Sequence, residues 1–333
     1  MSVGNDIFKG MVWSAVERIS VQAVQFVLGI ILARLLTPTE YGTIGLLMVF
    51  IVLSQVFIDS GFSKALIQKK DRNEDDKSTV FLFNIGIAIV SYIILWFSAP
   101  FIADFYKIET LTLLLRVLAL SLVINALFSV PGTMIVIAMN FKLFTKINLT
   151  TTIISGLIAV GLAYLGYGVW ALVFQVLLKG GITAILIWFV LKWKPNFVFS
   201  ISSFRKLFSF GSKLLLSSLM ASFSSQINSL LIGKYIGAKD LGFYSRGIQF
   251  SDIVYGIFTS ALSNVLLPGL SPLQDDKEVL VSHTRTIIKT SAVIVIPVFF
   301  TLAVLAEPII LVLLTDKWIA AAPIMQAFCI GRL

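Results

Sequence analysis

Residues 31–46 read ILARLLTPTEYGTIGL, and residues 231–246 read LIGKYIGAKDLGFYSR. The two stretches lie two hundred positions apart and share one plan. A long apolar run ends in a cation (Arg34, Lys234), passes an acid in the turn (Glu40, Asp240), and reopens at a glycine (Gly42, Gly242). Pro38 stops the first run, since proline cannot continue a helix. A fixed offset that keeps charge sign and glycine position marks an internal repeat. Other pairs extend it: Asp75-Asp76-Lys77 recurs as Asp275-Asp276-Lys277 and, after a small insertion, Ala99-Pro100-Phe101-Ile102 as Glu307-Pro308-Ile309-Ile310.

Composition supplies the medium in which the repeat folds. The 333 residues are 58% hydrophobic and only 13% charged, with a mean hydropathy of +0.96. Soluble domains carry about a quarter charged residues. The apolar residues come in blocks of roughly 20, the length of a helix across a bilayer. The expected fold is therefore all-α and polytopic, built of two pseudo-symmetric helical lobes. Spans are expected at about 11–36, 42–62, 79–103, 113–137, 147–166, 168–191, 211–236, 247–268, 286–306 and 318–333. Six spans return the chain to its starting side, so the second copy repeats the first in parallel. The division reads 1–195 as the first lobe, 196–210 as a basic linker and 211–333 as a partial second lobe. The second copy has no counterpart of residues 132–193, which suggests a longer parent chain.

The net charge of +9 matches the excess of Lys and Arg expected on cytoplasmic loops and needs no nucleic-acid partner. Lys64, Lys69, Lys70, Arg72, Lys77, Lys192, Lys194, Arg205 and Lys206 all fall on the side of the N-terminus, which places that terminus in the cytoplasm. One cysteine and one histidine cannot form a conventional zinc site. No phosphate-binding glycine loop or poised acid pair is present, so no enzyme is expected. Ser203–Lys206 matches S-x-x-K without its companion motifs. Ser14–Glu17 matches a capping box, a pattern that also arises by chance inside a helix.

Polar positions inside the spans are the candidate site. Arg18, Gln22, Gln25 and Gly29 share one helical face, and their repeat positions are Ser218, Ser222, Ser225 and Ser229. Such stripes either face a water-filled cavity or bond helix to helix. Lys179 and Asp252 are further charges within spans, as is Glu17 beside Arg18. Arg116 and Asp59 lie nearer span ends, where long side chains reach the interface.

The run ARLLTPTEYGTIGL, with Asp59-Ser-Gly-Phe-Ser-Lys-Ala-Leu-Ile-Gln68 and Gly168-Val-Trp-Ala-Leu-Val173, resembles the bacterial polysaccharide-transporter family, the repeat-unit flippases. The resemblance implies a V-shaped bundle in the cytoplasmic membrane. Its cargo would be undecaprenyl-diphosphate-linked oligosaccharide, moved by alternating access. Arg18, Lys179 and Arg116 would meet the diphosphate, and Gln22, Gln25, Ser222 and Ser225 the sugar. Glu17 and Asp252 would couple transport to a proton or sodium gradient, with no cofactor. Arg34, Glu40, Gly42, Lys234, Asp240 and Gly242 would be structural or gating. Membrane lipids, a polymerase and chain-length machinery are the implied partners. A multidrug cation antiporter and a lipid II flippase of the same superfamily are the alternatives.

Overall fold

The computed structural model describes residues 3–196, 198–270 and 277–332. In order, the helices are α1 (Val3–Leu35), α2 (Pro38–Asp59), α3 (Phe62–Gln68), α4 (Glu74–Tyr106), α5 (Leu111–Leu118), α6 (Leu120–Ile137), α7 (Phe141–Tyr164) and α8 (Val169–Leu191). The repeat resumes with α9 (Ile201–Tyr235), α10 (Ala238–Leu270), α11 (Lys277–Val304) and α12 (Ala306–Leu314). A 3-10 turn (Asp316–Ala321) leads into α13 (Ala322–Gly331). Among the described residues, seven helical segments are long and apolar enough to cross a membrane. These are an all-α polytopic membrane protein's elements, in the order that the repeat predicts.

Several boundaries differ from the sequence reading, each for a local reason. Expected to open at 42, α2 begins at Pro38 instead. Thr37 caps it, accepting from the Glu40 amide at 3.3 Å, while the Glu40 carboxylate accepts from the Thr37 amide at 2.6 Å. Proline suits the first helical position because no backbone donor is wasted there. Thr37 and Glu40 thus form a capping box. Ser14 and Glu17 instead lie within continuous α1. Pro100 and Pro131 lie inside their helices: α4 continues to Tyr106, past the expected 103, while α6 ends at Ile137 as expected.

The expected linker is helical from Ile201 and continuous with α9. The non-helical stretch before it is tied to α4. Asn196 N–H donates to Ser78 Oγ, Ser200 N–H to Thr79 Oγ1, and Trp193 Nε1 to Glu74 Oε2. Phe204 and Phe208 of early α9 stack beside Phe62 of α3, which seats this end of α9 on the first lobe.

The two lobes meet along α2 and α10, the pseudo-equivalent second helices. Their closest approach is Gly42 against Gly242. A Cβ at Gly42 would lie 1.5 Å from the Ala238 carbonyl oxygen, and one at Gly242 would lie 1.9 Å from that of Pro38. Only glycine lets two backbones come this near. The repeat motif is therefore the contact between the lobes, each copy packed on the other. Around it lies one of the two largest apolar clusters, with Leu32, Leu36, Tyr41, Phe243 and fully buried Trp318.

Candidate interlobe site

Two helix faces are turned from one lobe toward the other. On α1, Gly29 lies against Arg246 and Gln249 of α10, at 3.4 and 3.8 Å from the position a Cβ would take. That turns the Gln22–Gln25–Gly29 stripe toward the second lobe. On α9, Gly211 abuts Ser60 and Gly233 abuts Leu46 and Tyr106, so its Gly211–Gly233 face looks at the first lobe. At 3.6 residues per turn, Ser218, Ser222, Ser225 and Ser229 fall on that same face. The two stripes thus face opposite lobes across the pseudo-symmetric interface. They are only partly covered: Gln22 and Ser225 are exposed, and Gln25 and Ser222 half-buried. The side chain of Arg18 lies outside the described residues.

Arg246 sits where the α1 stripe reaches α10. It stacks on the Tyr41 ring at 3.8 Å and hydrogen-bonds Gln249 Oε1. Among the described residues no carboxylate lies within ion-pair distance of it. A cation without an acid, stacked on an aromatic face and aimed at a polar stripe, suits an anionic group. Sequence reasoning missed it as a site residue. The signal was there, since Arg246 stands where the first copy has Leu46.

The other predicted cations are placed elsewhere. Lys179 on α8 feels the charge of Glu17, which accepts from Asn148 Nδ2 on α7 at 2.9 Å. Glu17, Asn148 and Lys179 therefore form one polar group inside the first lobe. Asn148, which opens the glycosylation pattern Asn148-Leu-Thr150, lies inside α7 with its amide already engaged. Arg116 lies over the Trp96 ring at 4.7 Å and donates to the Trp96 carbonyl at 3.2 Å. This is a contact between α5 and α4, away from both stripes. Asp252 pairs with Arg332, which also covers the Tyr255 ring at 4.2 Å. Asp59 accepts from Ser63 Oγ at 2.6 Å, a local bond across the α2–α3 break.

The motif residues gather at one end of the bundle. Arg34 donates from Nε to the Leu313 carbonyl at 2.8 Å and from Nη2 to that of Val312 at 2.5 Å, at the C-terminus of α12. Lys234 donates to the Phe105 carbonyl near the C-terminus of α4 and lies over the Phe105 ring at 3.6 Å. Lys317 Nζ and Trp318 Nε1 return bonds to the Arg34 and Ala33 carbonyls, at 2.6 and 2.8 Å. Partial burial pulls the Lys317 ammonium below the ordinary lysine range, with Glu40 and Asp316 opposing it. Glu40 also faces Gly168, whose φ of +54° and lack of a side chain leave room for the carboxylate. Asp240 is exposed in the first turn of α10.

Among solved structures, the fold is similar to that of the lipid II flippase MurJ in an inward closed conformation, with a TM-score of 0.69 at 19% identity over 97% of this chain and 72% of that one. It is also similar to an inward-facing MATE family multidrug resistance transporter, with a TM-score of 0.65 at 16% identity over 95% and 79%. Among curated proteins, the teichuronic acid biosynthesis protein TuaB of Bacillus subtilis is 29% identical over 99% of this chain and 68% of its own length. The succinoglycan biosynthesis transport protein ExoT of Rhizobium meliloti is 27% identical over 96% and 65%. The chain spans about two thirds of the length of these relatives. The family model described as polysaccharide biosynthesis protein matches residues 31–323, and the chain belongs to that family.

Proposed function

We propose that this protein moves a lipid-linked oligosaccharide across the cytoplasmic membrane by alternating exposure of the space between its lobes. The observation that carries the reading is the pair of polar stripes on α1 and α9. They face opposite lobes and converge, on the α1 side, on Arg246, a cation with no acid beside it. Polar side chains are costly in lipid and are kept where water or cargo meets them. A diphosphate needs cations to replace its lost water, and a sugar needs neutral donors and acceptors. Arg246 takes the anionic group, with Gln22, Gln25, Ser222 and Ser225 lining the sugar path. The names of TuaB and ExoT, which refer to the biosynthesis of teichuronic acid and of succinoglycan, support a polysaccharide as the end product.

The lysine and arginine bias puts the N-terminus in the cytoplasm. The motif end then lies outside, and its interlobe bonds close the outer end. Glu17, with Asn148 and Lys179 around it, is the group through which a proton or sodium ion would couple to the cycle. A polymerase and chain-length proteins would receive the product.

The test is leaflet-resolved accumulation of lipid-linked repeat units in a bacterial host lacking its own flippase. Complementation would use this chain and a version extended to the length of its relatives. Restored surface polysaccharide with either supports the reading. Drug efflux without surface polysaccharide would replace it with the multidrug antiporter, and rescue of a peptidoglycan-precursor flippase mutant alone would replace it with lipid II transport.

A further inference from the structure

We propose that Arg34 and Lys234 are the two halves of one latch, each locking the other lobe at the motif end, Arg34 through α12 and Lys234 through the end of α4. The inference rests on the two-lobe reading above and adds the device that holds one end shut. Arg34 ends α1, in the first lobe, and caps the last carbonyls of α12, which belongs to the second. Lys234 ends α9, in the second lobe, and caps the Phe105 carbonyl near the end of α4, in the first. The positions are repeat equivalents, and so are the segments they cap, which pair Pro100 with Pro308. The exchange is thus reciprocal about the pseudo-symmetry axis.

The chemistry suits a latch better than a fixed brace. The last carbonyls of a helix have no partner within it and carry the negative end of its dipole. A cation satisfies both, and charge-assisted bonds are the stronger kind. Both cations are long side chains near the membrane–water boundary, so water can take their place when the lobes part. A buried apolar contact has no such exchange. The two halves are unequal. Beside Arg34, Lys317 and Trp318 return bonds to the end of α1. Beside Lys234, the further contacts are ring and apolar ones, from Phe105, Tyr106 and Leu46. The Lys234 half releases first.

The latch is read as a distance, without cargo. Spin labels go on Tyr164→Cys and Tyr235→Cys, which are 80% and 81% exposed at this end in different lobes, in a Cys329→Ala background reconstituted into nanodiscs. The native latch holds one short distance. Arg34→Ala with Lys234→Ala is expected to add a longer population, with the closed-to-open ratio falling at least about tenfold per half removed, or about 1.4 kcal/mol each. Arg34→Lys with Lys234→Arg keeps the short distance. An unchanged distribution in the double alanine variant, with helical content and monodispersity preserved, overturns the proposal. If that variant does not fold, Lys234→Met alone is read the same way, and an unchanged distribution there overturns it too. A shifted distance in a protein that restores no surface polysaccharide leaves the latch standing and removes only the cargo.

Discussion

Under the proposed function, Arg246 is the residue that meets the anionic group of the cargo. Its neighbours are Tyr41, Gln249 and Gly29, none of them an acid. Replacing it by Gln removes the charge while keeping some donor capacity. The expected outcome is at least a tenfold loss of repeat-unit transport at normal membrane abundance, measured by leaflet-resolved lipid analysis. Arg246→Lys keeps the charge but loses the planar fork and the broad stacking face, so an intermediate rate is expected. Lys179 answers to a different logic. It shares its surroundings with Glu17 and Asn148, so Lys179→Met leaves Glu17 without its nearby cation. Its expected signature is a changed dependence of transport on external pH or sodium, read in proteoliposomes, with a smaller fall in maximal rate. A pure loss of maximal rate with unchanged ion dependence would assign Lys179 to cargo instead.

The elements carry their own tests. The start of α2 depends on one capping box, and an N-cap Thr→Ala change costs about 1 kcal/mol. Thr37→Ala is expected to lower the melting temperature of the purified protein by a few degrees, since the Glu40 carboxylate also loses the hydroxyl it accepts from at 2.8 Å. The α2–α10 crossing is less forgiving. Gly242→Ala would put a methyl 1.9 Å from the Pro38 carbonyl oxygen, which neither backbone can absorb without the helices moving apart. Overpacking typically costs 1–3 kcal/mol, and here it acts on backbone at the main contact between lobes. A melting shift larger than that of Thr37→Ala is expected. Gly86→Ala, where a Cβ would have open space within α4, is the control and should leave the melting temperature level or raise it slightly.

At the scale of the molecule, closure is unequal along the interface. One end holds Gly42 on Gly242, the reciprocal cation caps and buried Trp318. Along the stripes, Gln22 and Ser225 remain exposed. Under the proposed cytoplasmic placement of the N-terminus, a membrane-impermeant thiol reagent should label Gln22→Cys and Ser225→Cys from the cytoplasmic face and not from outside. Labelling from outside at comparable rate would reverse either the orientation or the closed end, and a reporter at residue 3 would tell which.

The class of fold was legible in the chain itself. Blocks of apolar residues as long as a bilayer is thick can be satisfied only as spanning helices, and a two-hundred-residue repeat makes two lobes of them. The stripe positions were legible too, because polar residues at helical spacing within such blocks are rare enough to stand out. The sequence could not say which face of a span meets which partner, because in lipid nearly every face is apolar and periodicity loses its contrast. That is why the resemblance sent Arg116 to the diphosphate while it stands on Trp96, and why Arg246, not singled out in the sequence, stands where the α1 stripe meets α10. Charges find their neighbours only when helices from both lobes are brought together, through contacts such as Arg34 with α12 that join residues nearly three hundred positions apart. The local code wrote the helices and their caps; the pairing of Gly42 with Gly242 decided where the lobes touch, and so which polar groups were left facing one another.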